Sequence, residues 1–190
     1  MGKGLVDEFR DEFNMEDEWL PYELQPDTPA AGRLLTDKFR PHEIKAMFEN
    51  LRKRGERYGM VFNDCNRASN SHLALLAGEF ARDMNRFEVF HENVFRTFFT
   101  GLKDIGRLDV ILEMASDSGL NPEKFKLAYS EGRYQDRMDT AMTEARRLGI
   151  RSIPAFVFEN GEIIAGALQP EIFRKSLEDI QNGTYFNSLV

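Results

Sequence analysis

The sequence predicts an α/β domain split by a large all-helical insertion. Two β-rich apolar runs joined by a turn lie at residues 154–166, and a short run of period two lies at residues 19–24. Between them, roughly from Pro41 to Gly149, the pattern is helical almost throughout. A strand and its crossover at the front, with a hairpin and a helix at the back, describe a discontinuous domain formed by residues 1–40 and 150–190. Residues 41–149 form the insertion.

Each element has its own signal. Leu5, Val6, Phe9 and Phe13 recur at helical spacing among Asp7, Glu8, Arg10, Asp11 and Glu12, which predicts an amphipathic helix from Gly4 to Phe13. In "WLPYEL" the residues Leu20, Tyr22 and Leu24 alternate with Trp19, Pro21 and Glu23, a strand pattern that Pro21 confines to an edge. A connector rich in proline and small residues follows. The inserted helices begin at Pro41, a proline suited to a first helical position. The next is capped by Ser69, Asn70 or Ser71. A phenylalanine-rich helix then places Phe87, Phe90, Val94, Phe95 and Phe98 on one face. Asn121-Pro122 opens a further helix, and Gly149 closes the last of the block.

From Ile150 onward the texture changes. Pro154–Phe158 and Glu162–Gly166 are β-rich and are joined by "ENG", and Asn-Gly between apolar runs is a strong hairpin signal because both residues tolerate positive φ. A final helix, "EIFRKSLEDIQNG", stops at Gly183. The tail "TYFNSLV" carries no assignment.

Composition excludes several classes. The chain of 190 residues is 42% hydrophobic and 12% aromatic, enough for a sizeable core. Its net charge of −7 argues against a nucleic-acid partner, since phosphate backbones require a basic face. No apolar run approaches the ~20 residues of a membrane span. With no apolar leader at its start, the chain is expected in the cytoplasm. A single cysteine, Cys65, excludes a disulfide within the chain and fits a reducing compartment. His42, His72 and His91 share no metal-like spacing, so no metal site is expected and each is assigned to surface or helix packing. The opening "GKG" lacks the spacing of a phosphate loop. The phenylalanine-rich stretch Phe87–Phe99 is assigned to the core of the insertion, with the lining of a peptide groove as the alternative for part of it, and the acidic "EFNMEDEW" to a solvated turn.

The most informative stretch is "GIRSIPAFVFENGEIIAGALQPEIF". Pro154 opens an apolar strand just after a helix stop, where a proline's missing donor is tolerated. An X–Pro bond is also the one place where a cis peptide is affordable.

This arrangement resembles the DsbA family of thioredoxin-fold proteins, in particular its cytoplasmic FrnE-like branch. There a helix ends in a Gly-Ile or Gly-Val turn, a Val/Ile-Pro pair with a cis proline opens the third strand, and a hairpin leads to "GAQP" at the last helix. This chain has "LGIRSIP", "AFVFENGEIIAGA" and "LQPEIF". Upstream, "WLPYELQP" resembles the family's second strand, and Asn70, Ser71 and Ala74 match its "N(T/S)xxA" helix start. The resemblance spans essentially the whole chain. It implies a thioredoxin-like fold and thiol–disulfide exchange or isomerisation on protein and peptide thiols, with Ile153 and Pro154 facing the substrate. It implies no cofactor.

The family's first strand leads to Cys-x-x-Cys, commonly written "CPWCYIGK". Aligning its "IGK" on Met1-Gly2-Lys3 places the second cysteine two residues ahead of Met1, so no catalytic residue is assigned within this chain. A selenocysteine UGA codon read as a stop, a frameshift, or a natural start at Met1 in a degenerate relative would each account for this opening. Cys65, in the polar loop "NDCNRAS", is expected to be unreactive. Without the first, central strand two sheet edges lose their partner, so a compensating strand is expected from a second copy, a closed gap or upstream residues. Two alternatives stand beside the redox reading. One is a non-catalytic peptide- or partner-binding module. The other is a glutathione-dependent enzyme of the kappa-transferase and 2-hydroxychromene-2-carboxylate isomerase group, which shares the fold.

Overall fold

In the computed structural model, which describes residues 1–185, the chain divides into two compact units. One is formed by Met1–Trp19 with Ala145–Val190, the other by Leu20–Glu144.

In the first unit, helix α1 (Gly2–Phe13) buries Leu5, Val6 and Phe9 and presents its charges to solvent. It stops at Asn14, which takes the left-handed conformation at φ 47° and lets the Met15 N–H bond the Arg10 carbonyl. At the far end of the chain, β3 (Ala155–Val157) and β4 (Ile163–Ala165) form an antiparallel hairpin with Phe156 opposite Ile164. Of the Asn-Gly pair only Gly161 has positive φ, at 88°. Its N–H donates to the Phe158 carbonyl and the Phe158 N–H donates to Glu162, closing a three-residue loop with glycine at the left-handed position. Helix α8 (Pro170–Gln181) has proline at its first position. Phe173 of α8 meets Phe9 of α1 at 6.0 Å and Phe156 of the hairpin at 4.8 Å, so one ring joins all three elements.

The second unit is helical. Its helices are α2 (Pro41–Gly55), α3 (His72–Asp83), α4 (Phe87–Phe95), α5 (Leu108–Asp117) and α6 (Pro122–Ser130), with most of α7 (Gln135–Arg147). The core gathers Leu76, Phe80, Phe90, Ile111, Met114, Phe125 and Met138. Helix α6 is capped as expected, the Asn121 carboxamide accepting from the Lys124 N–H at 3.0 Å. At α3 the N-cap position is Ser71, whose side chain makes no capping bond, and the His72 N–H is taken instead by Asn70 Oδ1 at 2.9 Å. Helix α4 runs into a π-turn at Arg96–Thr100, closed by the Gly101 N–H on the Arg96 carbonyl.

Three expectations need correction. Leu20–Leu24 is not a strand: Leu20 is 63% and Leu24 44% exposed while Pro21 is buried, the reverse of the predicted alternation. No described strand pairs with this segment, and the Glu23 N–H turns to the Met142 sulfur instead. Second, residues 20–40 belong to the helical unit. Strand β1 (Arg33–Leu34) pairs with β2 (Arg67–Ala68), and the Asn70 amide donates to the Thr28 carbonyl at 2.6 Å. Third, Phe95 leaves the core face and is 49% exposed, in a row of rings with His91 and Phe99.

A charge cluster fixes α7 on α3. Arg137 donates to Asp83 at 2.8 Å and lies 3.5 Å from buried Glu79, while the Tyr134 hydroxyl donates to Asp83 at 3.0 Å. The Arg137 hydrogen bond holds the Asp83 carboxyl below its ordinary range against the opposing effect of burial, with Tyr134 adding to the lowering. Burial, followed by the bond to Asp83, raises the Tyr134 phenol. The depressed Asp83 contributes stability that is present above the ordinary aspartate pKa of about 3.9 and is lost as pH falls through the folded value. The raised Tyr134 contributes stability present below about 10 and lost as pH rises through its folded value. Urea denaturation across pH should therefore show Asp83→Asn flattening the acid limb and Tyr134→Phe flattening the alkaline limb. Unchanged limbs in both variants would refute the assignment.

Among the described residues, no helix is long and apolar enough to cross a membrane.

Candidate functional site

The site is built where α1 begins and β3 begins. The Gly149 turn, at φ 70°, ends α7 and releases the chain into residues 150–153. The Ile153–Pro154 peptide is cis. Pro154 has no N–H to donate, but its carbonyl accepts from the Gly166 N–H at 2.7 Å, which extends the hairpin ladder by one rung and fixes the loop. Ile153, one residue earlier, is left 51% exposed. The two residues singled out in the sequence are thus adjacent but unlike: Pro154 is partly buried and held, and Ile153 is open to solvent.

What Pro154 packs against was not legible in the sequence. Gly2, in the first turn of α1, lies so close that a Cβ there would stand 2.8 Å from Pro154 Cβ and 3.0 Å from its Cγ. The ring of Phe156 closes the same corner, 3.7 Å from that position. The start of α1 therefore rests directly on the proline loop. A helix start offers unpaired N–H groups and the positive end of the helix dipole, an environment that favours a thiolate or another anion. The signal available in the sequence was a glycine in a helical turn, where alanine is the better former.

The remaining candidates are not assembled into a second site. Cys65 is half-buried in the helical unit, its Sγ 3.2 Å from the Arg67 carbonyl, and it has no sulfur partner, being the single cysteine of the chain. His72 Nδ1 lies 3.0 Å from Glu23 Oε1, and His91 stacks on Phe87 and meets Phe95 edge-on. His42 is exposed. Among the described residues no group of three or more histidines, cysteines or carboxylates is arranged to hold a metal ion.

The geometry has clear counterparts among known proteins. The chain is 26% identical over 184 residues to the Bacillus subtilis (strain 168) protein YwbO, covering 95% of this chain and 90% of that one. It superposes on the crystal structure of a probable DsbA oxidoreductase, SCO1869 from Streptomyces coelicolor, with a TM-score of 0.86 at 18% identity. That match covers 100% of this chain and 87% of the other, and it identifies the fold. The family model of the DSBA-like thioredoxin domain matches residues 6–178. The chain belongs to the DSBA-like thioredoxin domain family.

Proposed function

We propose that this chain is the scaffold of a cytoplasmic, FrnE-like protein thiol–disulfide oxidoreductase or isomerase. Ile153 and Pro154 form its substrate-facing loop, and the redox cysteine pair that such exchange needs is not among residues 1–190. The observation that carries this reading is the contact between Gly2 and Pro154, which sets the first turn of α1 on the proline loop. A group borne just before that turn would meet a peptide lying on Ile153.

The chemistry follows from the placement. A thiolate at the helix start attacks one sulfur of a substrate disulfide; that S–S bond breaks, a mixed disulfide forms, and the departing sulfur takes a proton. The second thiolate of the pair attacks the mixed disulfide, forming the pair's own disulfide and releasing the substrate as a dithiol. Two electrons pass from the pair to the substrate, and the reverse sequence oxidises it. The helix start lowers the attacking thiol's pKa, and the loop holds the peptide in line. The partners are protein and peptide thiols. The short β3–β4 ladder would be completed by a further strand, from the same chain or from a second copy in a homodimer.

A second reading has its own support. With Cys65 alone, residues 1–190 cannot carry a dithiol exchange, and the same loop would serve a peptide- or partner-binding module.

Both readings require peptide binding at the loop. Titrating the labelled chain with a short extended apolar peptide bearing one S-methylated cysteine should shift the Ile153 and Ala155 amide resonances, and Ile153→Asp should weaken binding. Shifts confined to other residues, or none, would remove the loop from the account.

A further inference from the structure

Six glycines of this chain stand in open space with positive φ: Gly59, Gly132, Gly149, Gly161, Gly166 and Gly183. Backbone conformation explains them. Gly2 is different. It is helical, is not among the residues of positive φ, and is buried. Gly2 is the first residue of α1, where glycine still brings more backbone freedom to lose than alanine, so nothing in α1 itself favours it. What Gly2 provides is absence: a Cβ would enter the Pro154 ring at 2.8 and 3.0 Å. Pro154 cannot swing aside, because its ring is tied to the backbone at both ends and its carbonyl is bonded to Gly166. The neighbouring face of α1 is equally fixed, since Leu5, one turn on, is 1% exposed and Phe9 is held by Phe173.

We propose that Gly2 is a positioning residue. By carrying no side chain it sets how near the first turn of α1 lies to the Ile153–Pro154 loop. It thereby sets the geometry in which a group at the start of α1 meets a peptide held on that loop. This inference rests on the reading of Ile153 and Pro154 as substrate-facing.

The test compares wild type, Gly2→Ala, Pro154→Gly and the double variant. Three quantities are read for the full chain: the urea midpoint, the ¹³C resonances of the Pro154 ring where it is present, and the affinity for the S-methylated peptide above. Gly2→Ala should lower the midpoint, contrary to helix propensity. It should also shift the Pro154 Cβ and Cγ resonances and weaken peptide binding several-fold. In the Pro154→Gly background, which removes both contacting atoms, the same substitution should cost nothing or stabilise. That background keeps the comparison readable if Gly2→Ala alone fails to fold. A wild-type chain that binds no peptide overturns the reading of the loop, whatever Gly2 does. A wild-type chain that binds, with Pro154 resonances and affinity unchanged in Gly2→Ala, overturns the role of Gly2 alone.

Discussion

Phe173→Ala should destabilise the α/β unit by about 3–5 kcal/mol, the usual range for emptying a phenylalanine site in a core. Phe173 is 1% exposed and is the ring that contacts both Phe9 of α1 and Phe156 of β3. The ion pair of Arg174 with Glu12 also links α8 to α1, but both side chains are more than 40% exposed, so solvent screens the pair and it contributes little. Phe9 and Phe156 both face the void, and Phe9 lies on the same helix as Gly2. Amide exchange should therefore accelerate in α1 and across the hairpin, and the melting temperature should fall by on the order of 10 °C. Ile172→Ala is the control: this adjacent side chain is 55% exposed, and its loss should cost no more than roughly 0.5 kcal/mol. Equal effects from the two variants would show that Phe173 is not the joint described here.

The second large effect concerns catalysis. A thiol–disulfide exchange cycle needs two sulfurs, and residues 1–190 contain one, in a loop of the helical unit. Cys65 gives its thiol a local partner in the Arg67 carbonyl and no resolving cysteine. The chain beginning at Met1 should therefore show no reduction of insulin disulfides above the reaction of the free reductant.

How much of this was readable in advance depends on how local each feature is. Helix stops at Gly149 and Gly183, the Asn121-Pro122 start and the hairpin around Gly161 are set by a few consecutive residues, and each stands where the sequence places it. Pro154 is equally local, standing immediately before an apolar strand. The run at Leu20–Leu24 misled because period two is necessary for a strand but pairing makes one, and here the Glu23 N–H is taken by Met142. Phe95 misled because helical spacing alone does not separate the rows on adjacent faces. Phe90 goes to the core, whereas Phe95 joins His91 and Phe99 beside the π-turn. The boundary at residue 40 moved because the hydrogen bonds of residues 28–35 run to residues 66–70, and composition does not report long-range partners. Gly2 is the same lesson at the site itself. Its reason for being glycine lies in Pro154, at the other end of the chain.

The most direct measurement is insulin reduction by residues 1–190, run beside the free reductant and beside titration with the S-methylated peptide. The predicted result is peptide binding that shifts Ile153, with no turnover above the reductant, because one cysteine cannot complete dithiol exchange. Turnover by this chain, or no peptide binding at Ile153, would contradict it.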